Sequence, residues 1–278
     1  MGFNMIVLMK QVPDTSNVQE GAMKSDGTVN RDALPAIINP EDLCALEEAL
    51  KIKETHGGHI TVISMGPLKA EQALKFTLCL GADKAILLSD RRFAASDTLA
   101  TSYTLSKAIE KIGAYDIIFC GRQAIDGDTA QVGPQVAEKL GLNQLTYVFE
   151  IVDLSKGHIT VKREISNGYE RAKAPLPILL TITSAANIPR PPSVKKAMAF
   201  KKLSAKEPSL VEADFPLQLW DAEFISADPT RCGLKGSATK VKKVESVVLK
   251  TREKKEIEPT LSSISSLMKE LIHDHIIG

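Results

Sequence analysis

The densest chemistry in the chain lies in one run, Cys120-Gly121-Arg122-Gln123-Ala124-Ile125-Asp126-Gly127-Asp128-Thr129-Ala130-Gln131-Val132-Gly133-Pro134-Gln135. It follows an apolar run over 115–119 and opens a segment, 130–140, in which Val132, Val136 and Leu140 share one helical face. A strand, a polar loop and a helix in that order put the loop at the carboxyl end of a parallel strand. There the free N–H groups of a helix N-terminus favour a phosphate or pyrophosphate. Asp126, Asp128 and Thr129 supply capping and hydrogen-bonding side chains, Gly127 and Gly133 let backbone approach a ligand, and Pro134 is tolerated in a first helical turn. The same spacing also fits a well-capped helix start that binds nothing.

Other candidates are sparser. Arg91-Arg92 can pair with a phosphate or a redox ring, and equally fits a solvated loop. Met65, in Met65-Gly66-Pro67, reads from its own context as a plain core or loop methionine. Cys44, Cys79, Cys120 and Cys232 are scattered, with no Cys-x-x-Cys pair to indicate zinc, a redox dithiol or an iron–sulfur cluster. His273 and His275, two residues apart, do not face each other on a helix, which argues against a metal site.

The elements that must position these residues follow from periodicity. Residues 4–9 are a compact apolar run ending at Lys10-Gln11-Val12-Pro13-Asp14, a buried parallel strand. Residues 14–37 are polar and turn-rich, and a loop of that length suggests a lid or binding loop. Asn39-Pro40-Glu41-Asp42 sets an N-cap, an N1 proline and two acids ahead of Leu43, Leu46 and Leu50 at helical spacing. A second strand over 59–64 leads to a helix through Ala70, Leu74 and Leu78 that Gly81 closes. A third, 85–88, leads to a helix over 99–112 announced by Ser96-Asp97-Thr98, and a fourth, 115–119, to the chemical run itself. Four rounds of strand, loop and helix predict a doubly wound α/β domain: a mostly parallel sheet, helices on both faces and binding loops gathered at one edge.

Past Gly141 the texture is β-rich. Runs over 146–152, 158–165, 169–174 and 178–183, with turns at Ser155-Lys156-Gly157 and Asn167-Gly168, predict an antiparallel addition to the same sheet. Residues 185–202 form a basic, Pro-rich loop. Residues 203–240 carry Pro208, Pro216, Pro229 and Trp220 with weak periodicity, so they are expected to wrap over another surface such as a partner chain. A last helix starts at Glu258-Pro259-Thr260 with Leu261, Ile264, Leu267, Met268 and Leu271 on one face. The expected division is a nucleotide-binding domain over 1–202 and an extended C-terminal arm over 203–278 that ends in a helix.

Composition sets the bounds. The 278 residues, 44% hydrophobic, leave ample core for one large domain with an extension. A net charge of +1, from 35 Lys+Arg against 34 Asp+Glu, gives no reason to expect nucleic acid or an anionic membrane. No apolar run approaches the ~18 residues of a membrane span, and no signal-peptide core precedes the first strand. A cytoplasmic protein with reduced cysteines and no membrane insertion is expected.

Three segments together resemble the β subunit of the electron transfer flavoproteins: Lys10-Gln11-Val12-Pro13-Asp14, Asn39-Pro40-Glu41-Asp42 leading to Leu46-Glu47-Glu48-Ala49, and Gly121-Arg122-Gln123-Ala124-Ile125-Asp126-Gly127-Asp128-Thr129 with Gln131-Val132-Gly133-Pro134-Gln135. The resemblance runs from Asn4 to about Lys202, and the third segment is its specific part. It implies a heterodimer with an α subunit that carries one FAD, while this chain holds an adenine nucleotide. In ordinary members that nucleotide is AMP; in electron-bifurcating members it is a second FAD, reduced by NADH. Implied nucleotide contacts are Leu8 and Lys10 on the first strand, Asn39 and Asp42 at the first helix, Met65 and Gly66 after the second strand, and Gln123, Ala124, Asp126, Gly127, Asp128, Thr129, Ala130, Gln131, Val132, Gly133, Pro134 and Gln135. The N–H groups around 129–133 would take the phosphates and the earlier strand ends the adenosine.

Arg91-Arg92-Phe93, with Asp97, Thr98 and Thr101, is similar to the bifurcating subgroup's loop, as are Val29-Asn30-Arg31-Asp32 and Ile37-Ile38-Asn39-Pro40. The resemblance therefore favours FAD over AMP, with Met65 and Gly66 lining the flavin, NAD(H) as transient hydride donor, and no side chain acting as acid, base or nucleophile. One electron would go through the α-subunit FAD to a flavin dehydrogenase of acyl-CoA, caffeoyl-CoA or lactate type, the other to ferredoxin or flavodoxin. Residues 189–200 match the family's partner-recognition loop, which makes Arg190, Val194, Lys195 and Met198 docking residues, with Val194 an apolar anchor; Pro191-Pro192 departs from the ordinary pattern. The alternatives are an ordinary β subunit with AMP, an ATP-using adenylating enzyme and a nucleotide-sensing module. Lys10-Gln11-Val12-Pro13, standing where an adenylating enzyme needs a Ser/Gly-rich loop, counts against the second.

Overall fold

Each apolar run becomes a strand and each amphipathic segment covers it. The computed structural model describes residues 2–14, 35–155, 157–240, 256–274 and 276–277. In chain order the elements are β1 (Phe3–Leu8), the short pair β2 (Gln11–Pro13) and β3 (Ala36–Ile38), α1 (Pro40–His56), β4 (Gly58–Met65), α2 (Glu71–Leu80), β5 (Lys84–Leu88), α3 (Thr98–Ile112), β6 (Ile117–Gly121) and α4 (Val132–Leu140). Then come β7 (Asn143–Leu154), β8 (His158–Ile165), β9 (Gly168–Pro175), β10 (Ile178–Ile182), α5 (Val194–Ala199), β11 (Leu217–Trp220), α6 (Gly233–Gly236) and α7 (Leu261–His273).

One sheet runs β11-β5-β4-β1-β6-β10-β7-β8-β9. Strands β11 to β7 in that order pair in parallel, and β7, β8 and β9 pair antiparallel. Because side chains alternate across a strand, Met5 and Val7 face one side and Ile6 and Leu8 the other. Leu46 and Ala49 of α1 and Leu74 and Leu78 of α2 share the first core with Met5 and Val7. Tyr103, Ala108 and Ile109 of α3 and Val136 and Ala137 of α4 share the second with Ile6 and Leu8. Helices on both faces of a mostly parallel sheet make the doubly wound α/β architecture expected from the sequence.

Two expectations are corrected. Residues 178–182 are not part of the antiparallel addition: β10 lies between β6 and β7 and is parallel to both. The sign is in Ile178-Leu179-Leu180-Thr181-Ile182 itself, buried at every position, which marks a strand covered on both faces. The antiparallel strands β8 and β9 instead carry exposed positions. Residues 203–240, expected to wrap over another surface such as a partner chain, instead contribute in part to this chain's own sheet. β11 pairs with β5 at the sheet edge, and Trp220, Ala222, Ile225 and Cys232 belong to the second core. Four residues of strand are too few to display a period, and Pro216 borders β11 without interrupting it, accepting the Ala85 N–H through its carbonyl.

Residues 15–34 of the expected lid, including Val29-Asn30-Arg31-Asp32, lie outside the described residues, as does His275. The ends of that loop meet in the β2–β3 pair, where the Asn39 N–H reaches the Lys10 carbonyl at 2.9 Å. No helix among the described residues is long and apolar enough to cross a membrane. Helix α7 carries its expected apolar face, with Leu261, Ile264 and Met268 exposed.

Candidate functional site

The carboxyl ends of β1, β4, β5 and β6 open into a cavity of about 700 Å³, within the size range of small-molecule sites. Its base is built by the first turn of α1. Alternate N–H groups of the chain leaving β6 point at that turn, and three side chains receive them in reverse order. Gly121 N–H donates to Asp42 Oδ1 at 2.9 Å, Gln123 N–H to Glu41 Oε2 at 3.0 Å and Ile125 N–H to Asn39 Oδ1 at 3.2 Å. Asp42 Oδ2 also accepts the Lys10 N–H at 2.8 Å, so one carboxylate joins the ends of β1 and β6. Burial pushes Asp42 up to about 7, outweighing the lowering effect of the hydrogen bonds from Lys10 and Gly121. A Cβ on Gly121 would sit 2.5 Å from Asp42 Oδ1, which is why glycine stands there.

Asn39 was expected to cap α1, but its side chain makes no capping bond. Both ends of its amide grip the loop, Nδ2 donating to the Gln123 carbonyl at 2.8 Å. Asp126, Asp128 and Thr129 do not cap α4 either. Asp126 pairs with Lys10 at 2.7 Å across the cavity mouth, and Asp128 Oδ1 accepts Gln123 Nε2 at 3.0 Å. The residue before α4 is Gln131, which makes no side-chain cap. Among the described residues, that leaves the Val132 and Gly133 N–H groups of the first turn of α4 without a side-chain acceptor where Gln131, Val132 and Gly133 line the cavity. Asp128 and Ala130 hold left-handed φ of 49° and 52°, which turn the loop into that helix. Gly133 serves packing: a Cβ there would lie 2.7 Å from Cys120 Sγ and 3.1 Å from Thr181 Cγ2, so its absence lets α4 close on the sheet.

The opposite wall follows β5 and includes Arg91, Asp97, Thr98 and Thr101. Only one of the two arginines is free to face the cavity. Asp90 holds Arg92 through Nε at 2.9 Å and Nη2 at 2.5 Å, and that guanidinium in turn keeps Asp90 down at about 2. Asp97 caps α3, its Oδ1 accepting the Leu99 and Ala100 N–H groups at 3.0 Å. Thr98 Oγ1 donates to Gln131 Oε1 at 2.9 Å and Ser102 Oγ to Gln135 Oε1 at 3.0 Å, which stitches α3 to α4.

Of the residues expected at the nucleotide, Leu8, Lys10, Asp42, Met65, Gly66, Gln123, Ala124, Gly127, Asp128, Thr129 and Ala130 also line this cavity. Asn39, Asp126, Pro134 and Gln135 are not among the lining residues, though Asn39, Asp126 and Gln135 are bonded to ones that are, Gln123, Lys10 and Thr98. Ser89, Asp90, Ala94 and Ala95 line it and were passed over; the signal was their place just after β5, since loops at the carboxyl ends of parallel strands meet at one crevice.

The segment expected to be a recognition loop, residues 189–200, begins against α1. Arg190 does not project from it: its guanidinium pairs with Glu47 at 2.9 Å and with Glu54, tying the loop to α1. Val194 and Met198 stand 75% and 74% exposed on α5 beside an exposed Lys195, and Ile188, 93% exposed, adds an apolar residue that sequence reasoning did not single out.

A model of the electron transfer flavoprotein domain matches residues 26–208. The chain belongs to the electron transfer flavoprotein family. It is 44% identical over 275 residues to the electron transfer flavoprotein subunit beta of Clostridium acetobutylicum, covering 99% of this chain and all of the relative. It is 49% identical over 238 residues to the subunit beta of Thermoanaerobacterium thermosaccharolyticum, covering 86% of each chain. It is also 41% identical over 275 residues to protein FixA of Sinorhizobium fredii, covering 97% of this chain and 92% of the relative. Electron transfer flavoproteins bind flavin or AMP, and their β subunits pair with an α subunit. The crevice suits such a ligand, with the uncapped α4 N-terminus and Lys10 offering N–H groups and a cation to phosphate.

Proposed function

We propose that this chain is the β subunit of an electron-bifurcating electron transfer flavoprotein and holds FAD in the crevice. The observation that supports the reading is the size and lining of the cavity: about 700 Å³, lined by the loop at 123–133, by Lys10 and by Arg91, Asp97, Thr98 and Thr101. Bound there, FAD supplies acceptance of hydride from NADH and delivery of single electrons to ferredoxin or flavodoxin and to the α-subunit FAD.

The chain's own residues bind and orient. The α4 N-terminus and Lys10 hold the diphosphate, Asp126 exchanging its hold on Lys10 for solvent as the anion arrives. The strand ends at Leu8 and at Met65-Gly66 enclose the apolar parts of the ligand. Arg91 brings the free positive charge of the opposite wall, and the carboxylate of Asp97, already taken up by the α3 cap, adds little negative charge there. No side chain acts as acid, base or nucleophile. Val194, Lys195 and Met198 dock a flavin dehydrogenase, and the exposed face of α7 packs on the α subunit.

Nucleotide extracted from the purified heterodimer decides the matter. Two FAD per heterodimer are expected; one FAD with one AMP overturns the reading in favour of an ordinary β subunit.

A further inference from the structure

We propose that the segment carrying Ser237 and Thr239 is a strap that positions the Arg91–Thr98 wall of the crevice, and that these two hydroxyl residues are positioning residues for the flavin end of the ligand. The inference rests on the FAD reading for one of its two readouts.

The wall has two sides. One faces the cavity through Ala94, Ala95, Ser96, Asp97 and Thr98. The other is bonded to Leu234, Ser237 and Thr239. Leu234 N–H donates to the Ala94 carbonyl at 3.1 Å and Asp97 N–H to Ser237 Oγ at 2.8 Å, while the single Ser237 hydroxyl proton is shared between the Gly233 carbonyl at 2.8 Å and the Ala95 carbonyl at 3.3 Å. Thr239 gives two bonds to Asp97 Oδ2, from N–H at 2.9 Å and from Oγ1 at 3.0 Å.

The approach is close enough that Gly233, at φ 55°, has the Arg92 carbonyl where a Cβ would stand. Below it the strap is anchored on α3, the Arg231 guanidinium lying 4.0 Å from the Tyr103 ring centroid and the Asp228 N–H donating to Tyr103 Oη at 2.9 Å.

The wall needs such support. Ala95 holds a left-handed φ of 58°, a conformation that a non-glycine residue keeps only when its surroundings dictate it. Its neighbours Ala94 and Asp97, and its own carbonyl, are all bonded to the strap. Asp97 matters a second way. One oxygen caps α3 and Thr239 takes the other, so both carboxylate oxygens are held. Without the Thr239 hydroxyl, Oδ2 loses one of its two donors and the carboxylate is held less firmly beside the ligand.

The test uses the full chain co-expressed with its α subunit and stripped of nucleotide. Thr239→Val and Ser237→Ala are each expected to raise the Kd for FAD roughly three- to tenfold, the effect of one lost hydrogen bond. The Kd for AMP, which lacks the flavin end, is expected to stay within about twofold. Thr239→Ser, which keeps the hydroxyl, binds FAD as the parent does. FAD affinity unchanged in both variants, or FAD and AMP weakened in parallel with a fall in Tm, overturns the proposal.

Should the parent heterodimer take AMP alone, the FAD reading fails and the strap is judged on hydrogen exchange without nucleotide. Faster exchange over 91–101 in Thr239→Val, restored in Thr239→Ser, upholds it. Equal exchange in both overturns it.

Discussion

Asp42 carries a pH dependence that can be signed. Its carboxyl titrates near 7 in the folded chain against an ordinary 3.8. Between those values the native state holds a proton that the unfolded state has released, so the group's contribution to stability falls as pH rises toward 7 and is level above it. The slope from one such group is at most about 1.4 kcal/mol per pH unit. Thermal melts between pH 5 and 8 are expected to show that slope in the parent chain and lose it in Asp42→Asn. The Asn variant is also less stable at pH 5 by about 1–3 kcal/mol, because its amide NH₂ turns toward one of the two N–H donors.

Gly133→Ala is expected to cost about 1–3 kcal/mol by denaturant unfolding, through the clash with Cys120 Sγ, and Cys120→Ala in the same chain recovers part of it. The sequence displayed this site unevenly. Strand, loop and helix around 115–140 were legible from local spacing. The jobs of Asn39, Glu41 and Asp42 were not, because a capping sequence and a clasping one look alike, and the difference lies in N–H groups some 80 residues downstream. Gly133 was read as room for a ligand for the same reason: what it makes room for is a cysteine on another element.

Among the elements, those with one strong local signal were legible and those defined by a distant neighbour were not. The runs that became β1, β4, β5 and β6 are buried over most of their length. β10 is buried too, yet its position between β6 and β7 is a pairing choice that no stretch of chain contains. Arg190 likewise reads as part of a basic docking loop until its carboxylate partners on α1 are seen. Arg190→Ala therefore acts on structure: with Glu54 exposed but Glu47 buried, the loss is about 1–3 kcal/mol, accompanied by faster hydrogen exchange over 184–193. Val194→Ala separates docking from folding. Its side chain is mostly exposed, so the melt is unchanged, while electron transfer with a dehydrogenase is expected to need roughly tenfold more partner, as for loss of an interface anchor. A matching fall in Tm would count against the anchor.

On the scale of the whole molecule, the boundary suggested by composition near 202 cuts through a sheet. A chain ended at 202 leaves β5 as an open edge and removes Trp220 from the second core. It is expected to aggregate or lose its cooperative melt, whereas a chain ended at 240 keeps a folded far-ultraviolet spectrum and the emission of its single buried tryptophan. The strand order also sets a timetable. The sheet is not laid down from one side to the other during synthesis: β6 ends at Gly121, but the neighbour that covers its open side ends at Ile182. At ribosomal speeds of about 5–20 residues per second, the growing chain carries that apolar edge uncovered for roughly 3–12 s. In that interval β7, β8 and β9 emerge, three strands that pair with one another through short turns. The antiparallel extension is thus the part of the molecule that can form while the centre waits, and the loop after β6 can settle only when β10 has slotted in between β6 and β7.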